Sequence, residues 1–216
     1  MMNIQKLYEI KNVNVLVYGD FMIDKYINGN VNRISPEAPV PVIEIVEKKS
    51  KLGGAGNVIN NIIALGANVR VLGYIGDDAD GNFLLKSFNK TQVETTYMKK
   101  YKEIQTISKT RIVSKNQQFL RLDEERMEEP PKDYYEFLKE NKNKIFQSIS
   151  SLVISDYKKG AVNKKISQFL IREANQRNIP IIVDPKGTDY SKYNGATVCT
   201  PNVKEMSLVI GKDLKK

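Results

Sequence analysis

A chain of 216 residues, 41% of them apolar, is long enough for one sizeable core, and no run reaches the roughly 18 apolar residues of a membrane span. It has no histidine and one cysteine, Cys199; histidine metal sites, Ser–His and Cys–His catalysis and an internal disulfide are excluded, and a reducing, cytoplasmic setting is expected. The 34 basic and 25 acidic residues leave a net charge of +9 spread along the chain, which suits anionic small molecules better than a nucleic acid.

The opening MMNIQKLYEIKN lacks an apolar stretch followed by a cleavage site, so no secretory leader is expected. Val13–Tyr18 reads as a buried strand ending at Gly19-Asp20, with Asp24 close behind. Ligands gather beyond the carboxyl ends of strands in α/β sheets, so Asp20 and Asp24 could hydrogen-bond a polyol; turn and cap chemistry accounts for them equally well. Lys25–Val31 and Pro41–Lys49 read as two strands joined by a proline-rich connection, and VPVIEIVEK alternates as a sheet with one covered face does. That hairpin is expected to form a lid.

Leu52–Gly66 (LGGAGNVINNIIALG) places Gly53, Gly54 and Gly56 ahead of Asn57 and an apolar-sided helix, with Gly66 as its stop. Such a run allows a ligand to approach the backbone, or a helix to pack tightly on a strand. Ile59 stands where GxGxxG needs its third glycine, and no GxxxxGK[ST] loop occurs. Asn68–Ile75 reads as a strand. The acidic run after it lacks EF-hand spacing and suits capping of a helix over Asn82–Asn89. Residues 95–122 are β-type, with strands over Lys109–Val113 and Phe119–Leu122, a turn at Asn116-Gln117, and Arg111, Lys115 and Arg121 as cations.

From Pro130 the rhythm is α/β. A helix over Asp133–Ser148 precedes the strand Ser151–Ser155, which runs into Asp156-Tyr157-Lys158. A helix over Asn163–Asn178 precedes the strand Ile179–Val183 and Asp184-Pro185-Lys186. The strand Ala196–Cys199 leads to a last helix opened by Asn202 and Glu205. This alternation implies a mostly parallel, helix-covered sheet with right-handed crossovers. Polar groups at strand ends would then share one rim, where carboxylates can order Mg²⁺ through water and lysines can neutralise phosphate, a combination suited to phosphoryl transfer.

GDFMID (Gly19–Asp24), RISPEAPVPV (Arg33–Val42), LGGAGNV (Leu52–Val58), LGANVRVLGYIGDDADG (Leu65–Gly81), KTRIVSKNQQFLRLDEE (Lys109–Glu125), SDYKKG (Ser155–Gly160), DPKGTDY (Asp184–Tyr190) and TPNVKE (Thr200–Glu205) together resemble the ribokinase-like (PfkB) sugar kinases. RISPEAPVPV and DPKGTD point within them to the heptose 7-phosphate kinases of lipopolysaccharide synthesis; Gly56 replaces that subgroup's usual alanine. The resemblance implies an α/β, ribokinase-like domain over residues 1–216, with lid segments at about 25–50 and 95–122. It implies that Asp20, Asp24, Gly53, Gly54, Asn57 and Asp156 hold sugar hydroxyls, and that Arg111, Lys158 and Arg33 meet the sugar phosphate. Lys186, Asn202 and Glu205 would serve ATP, with Asp184 and Glu205 near Mg²⁺.

The same resemblance implies a homodimer through the lid and ATP-dependent phosphorylation of D-glycero-D-manno-heptose 7-phosphate at its anomeric hydroxyl. No GAGD element, the family's source of a catalytic aspartate and anion hole, occurs in the 216 residues. The C-terminal third of the family's fold is therefore expected to be missing and the chain to be inactive alone. The alternatives are a sugar-phosphate-binding or dimerisation module without catalysis, and a kinase for another sugar.

Overall fold

Val15, Leu16, Val17 and Tyr18 are buried at consecutive positions, and a strand without alternation must be covered on both faces. In the computed structural model, which describes residues 10–91, 93–115, 117–127 and 129–214, that strand is central. β1 (Asn14–Gly19) pairs in parallel with β4 (Asn68–Gly76) on one side and β8 (Ser151–Ser155) on the other. β5 (Glu94–Tyr101), β9 (Ile181–Asp184) and β10 (Val198–Cys199) complete a six-stranded sheet of order β10-β9-β8-β1-β4-β5, parallel at every pairing. The first nine residues, and Asn116 of the expected turn, lie outside the described residues.

Five α-helices are present among the described residues: α1 (Ala55–Ala64), α2 (Ala79–Asn89), α3 (Tyr134–Ile145), α4 (Lys164–Asn175) and α5 (Val203–Ile210). Strand side chains alternate between faces, so Val15 and Val17 join Ile59 of α1 and Leu84 and Phe88 of α2 in one cluster. Leu16 and Tyr18 join Leu138 of α3 and Phe169 and Leu170 of α4 in the other. Helix starts follow the expected capping chemistry. The Asp78 side chain accepts the Gly81 N–H ahead of α2, and Asn163 accepts that of Ile166 ahead of α4. Gly66, at φ 96°, follows the end of α1. None of these helices is long and apolar enough to cross a membrane.

A second sheet of order β3-β2-β6-β7 is built from β2 (Phe21–Ile34), β3 (Pro41–Gly54), β6 (Ile107–Ser114) and β7 (Gln117–Glu124). β2 and β3 are longer than the expected strands. Gly53 and Gly54 are therefore the last residues of β3, opposite Met22 and Phe21, and not a loop. The expected second lid segment, 95–122, is divided between the sheets. β5 carries buried Tyr97, Met98 and Tyr101 and follows α2 as a parallel crossover strand beside β4, so it belongs to the core. Only the β6–β7 hairpin lies in the second sheet.

Candidate active site

Asp20 lies between β1 and β2, 2% exposed. Its carboxylate accepts the backbone N–H groups of Tyr157 (2.7 Å), Lys159 (3.2 Å) and Ala161 (3.0 Å). Burial pushes its pKa up, and the N–H groups of Tyr157 and Lys159 oppose the shift. Asp20 thus braces the loop after β8 from beneath. Asp156 braces the same loop from the other side. Its Oδ1 accepts the Lys158 N–H at 2.6 Å, and its Oδ2 accepts from the Lys192 ammonium and, at 2.5 Å, from the Tyr193 hydroxyl. Lys158 holds the left-handed φ of 57° that this tight loop needs.

Held in this way, Tyr157 faces a cavity of about 430 Å³ between the second sheet and the core rim. Asp24, Asn57 and Gly54 line it beside Lys51, Lys109, Arg111 and Arg121. Arg111 makes an ion pair with Asp24, and its guanidinium stands 5.4 Å from the centre of the Tyr26 ring. Lys51 lies 5.7 Å from that ring centre. The glycines make this wall possible. A Cβ on Gly53 would stand 2.7 Å from the Asp24 carboxylate, and one on Gly54, at φ 55°, would collide with the Asp20 carbonyl. Close packing of β3 on β2 accounts for both.

A second polar group lies at the ends of β9 and α5. Asn202 and Glu205 form a capping box: the Asn202 side chain accepts the Glu205 N–H, and the Glu205 carboxylate accepts the Asn202 N–H. The other Glu205 oxygen takes the Lys186 ammonium at 2.6 Å. Burial opposes ionisation of Glu205, but these partners hold its pKa below the usual value. Asp184 is half-buried, and burial and the neighbouring Glu205 charge push its pKa up. Among the described residues no cluster of three or more carboxylate or thiol groups could enclose a metal ion. One or two carboxylates suffice for Mg²⁺, which keeps much of its water and shares substrate phosphates.

The family model for the pfkB carbohydrate kinases matches residues 12–216. The chain belongs to that family. Two pfkB relatives are both named Bifunctional protein HldE. That of Aliarcobacter butzleri is 41% identical over 205 residues, covering 95% of this chain and 43% of the relative. That of Pasteurella multocida is 43% identical, covering 94% and 42%. The chain thus spans about two-fifths of the length of the curated relatives it matches. Phosphofructokinase-2 from Escherichia coli, in its tetrameric inhibited form, shares the fold at a TM-score of 0.69 and 20% identity, over 94% of this chain and 66% of that one. Arabidopsis thaliana ribokinase, complexed with ribose and ATP, does so at 0.66 and 15%, over 94% and 64%.

Among the expected pfkB site residues, Asp24, Gly54, Asn57 and Arg111 meet at one cavity, with Gly53 packed against Asp24. Asp20 and Asp156 do not line it; their carboxylates take backbone N–H groups of the loop after β8 and, for Asp156, Lys192 and Tyr193. Lys158 is exposed on the braced loop and does not line the cavity. Arg33 is exposed near the far end of β2, opposite Val42. At about 3.3 Å per residue it lies roughly 30 Å along the strand from Asp24, because β2 continues outward well past the rim. Lys186, Asn202, Glu205 and Asp184 form their own group. The sequence reading missed Lys51, Lys109 and Tyr157 in the cavity and Lys192 and Tyr193 behind it. Lys51 stands two residues before the glycine run, and β-alternation pairs Lys109 with Arg111; both signals were legible.

Proposed function

We propose that this pfkB chain binds D-glycero-D-manno-heptose 7-phosphate and, within a complete kinase, presents its anomeric hydroxyl to the γ-phosphoryl of ATP, giving the 1,7-bisphosphate used for lipopolysaccharide and ADP-heptose. The observation that carries the reading is the cavity that sets Asp24 and Asn57 beside Lys51, Lys109, Arg111 and Arg121. A carboxylate and an amide suit hydroxyls, and a cationic wall suits a phosphate dianion. Identity of about 40% to proteins named HldE supports the heptose over other sugars.

Lys186 and the Asn202–Glu205 helix start serve the ATP phosphates in this reading. Asp184 offers the carboxyl that fits hydrated Mg²⁺, since a cation there would relieve the repulsion from Glu205. The metal would supply charge neutralisation for the transferred group. Asp24 orients the sugar, and Arg111 both orders Asp24 and adds positive charge beside it. The reaction is assigned to the cytoplasm.

A second reading, a sugar-phosphate-binding or dimerisation module, is favoured by one observation. The outer lid face leaves Ile45, Phe119 and Leu120 exposed around an apolar cavity of about 480 Å³, a surface suited to a second copy of the lid. Calorimetric titration with heptose 7-phosphate, ribose and fructose 6-phosphate, alongside an ADP-release assay, tests both readings. Preferential heptose binding without turnover by the 216 residues is expected. Equal affinity for all three sugars would remove the heptose assignment. Light scattering at micromolar concentration is expected to give a dimer mass, and a monomer would remove the lid interface.

A further inference from the structure

Tyr193 and Lys192 belong to no part of the cavity or of the Lys186–Glu205 pair, yet they touch the supports of both. The Tyr193 side chain is 3% exposed, and its hydroxyl donates to Asp156 Oδ2 at 2.5 Å while accepting the Lys186 N–H at 3.1 Å. A phenol has one proton to give, and the shorter bond to a carboxylate takes it. Burial and Asp156 hold the Tyr193 pKa far above its ordinary value, so that proton stays. The Lys192 ammonium adds a charge-assisted bond to the same Asp156 oxygen and a 3.3 Å bond to the Val162 carbonyl.

The turn that carries these two side chains is itself clamped. The Gln168 amide, on α4, donates to the carbonyls of Lys192 (3.1 Å) and Asn194 (3.0 Å), and the Asn175 amide donates to that of Gly195 (2.9 Å). A residue pair fixed to a core helix thus reaches Asp156, which holds the Lys158 N–H and shapes the Tyr157 loop. It also reaches the backbone of Lys186, whose ammonium meets Glu205. Continuous hydrogen bonds therefore run from the cavity wall to the phosphate-side group, through Tyr157-Lys158, Asp156, Tyr193 and Lys186.

We infer that Lys192 and Tyr193 are positioning residues that tie the 156–160 loop to the 184–187 loop, so that filling the cavity sets where Lys186 stands. The inference rests on reading the cavity as a sugar-phosphate site. Neither side chain lines the cavity. They act through Asp156 and the Lys186 amide.

Amide NMR of the ¹⁵N-labelled chain tests this with Y193F, K192M and K192R. Without ligand, Y193F is expected to speed hydrogen exchange at both the Lys158 and Lys186 amides by roughly five- to tenfold, the scale of one lost hydrogen bond, with Val17 and Leu152 unchanged. K192M is expected to act at Lys158, and K192R, which keeps the charge, to restore it. Acceleration at only one of the two loops in Y193F, or equally throughout the core, overturns the tie. On adding heptose 7-phosphate, the Tyr157 and Lys186 amides should both shift in the unaltered chain and only Tyr157 in Y193F. An undiminished Lys186 shift in Y193F overturns the inference. A sugar phosphate that moves no amide in the unaltered chain removes the functional reading instead, and the ligand-free exchange still decides the tie.

Discussion

The two sheets solve different problems with similar β-rich text. In the core sheet β1 is buried at five of its six positions and helices cover both faces. In the second sheet β7 is exposed at all eight positions; Phe21, Ile23 and Leu52 at the inner ends of β2 and β3 join the core cluster, and ion pairs add further links: Lys25 to Asp80, and Lys159 to Glu125, which also takes Lys109. Area removed from water is worth about 25 cal/mol per Å², whereas partly exposed ion pairs are worth about 0–1 kcal/mol each. The core should therefore set global stability, and the exposed β6–β7 side of the second sheet should contribute less to it.

The largest effect expected from that contrast is in the core. Leu152→Ala, at a fully buried position of β8, should cost about 2–5 kcal/mol in urea denaturation. Leu120→Ala, at a position 51% exposed on the lid, should stay within about 0.5 kcal/mol. A Leu120→Ala cost that grows with protein concentration would instead place a second copy over the lid. At the junction of the sheets, Gly54→Ala should destabilise by about 1–3 kcal/mol, since an alanine there is strained at φ 55° and meets the Asp20 carbonyl.

Next comes the cavity itself. Asp24→Asn removes the charge that pairs with Arg111 and should weaken heptose 7-phosphate binding roughly 10- to 100-fold by calorimetry, with little change in Tm. The smallest effect separates the sheets by pH. Lys159, with Lys109, holds the Glu125 pKa below its unfolded value, so its stabilisation is present above about pH 4.5 and is lost as pH falls through the lower folded pKa. Asp20 has the opposite sign: burial raises its folded pKa, so acid favours the folded core at that group. Amide protection, relative to the intrinsic exchange rate, should therefore fall in β6 and β7 before it does in β1 and β8 as the solution is acidified. Simultaneous loss of both sheets would erase the distinction. Glu125→Gln should reproduce the lid's loosening at neutral pH.

Much of this contrast was legible in the chain. Val15–Tyr18 and Ser151–Ser155 are short apolar runs that only a doubly covered parallel strand accommodates, and both strands occur where they were read. Asn202 was readable as a helix start because capping depends on residues three apart, and the acidic run was readable as capping, although its helix begins at Ala79 and not at Asn82. TTYMKKY misled because an edge strand of the core and a lid strand share the same alternation. Its membership was decided by α2, which delivers it beside β4.

The sequence by itself determined the elements, the parallel core and the family, since periodicity, caps and motifs are local and survive reading in one dimension. Tertiary structure decided what each polar side chain does. Asp20, Asp24 and Asp156 look alike as carboxylates near strand ends, but only Asp24 opens onto the cavity, while backbone N–H groups and the Lys192–Tyr193 turn occupy the other two. A carboxylate's role depends on which donors reach it first, and those donors come from more than 130 positions away for Asp20 and about 36 for Asp156. No spacing rule carries that information.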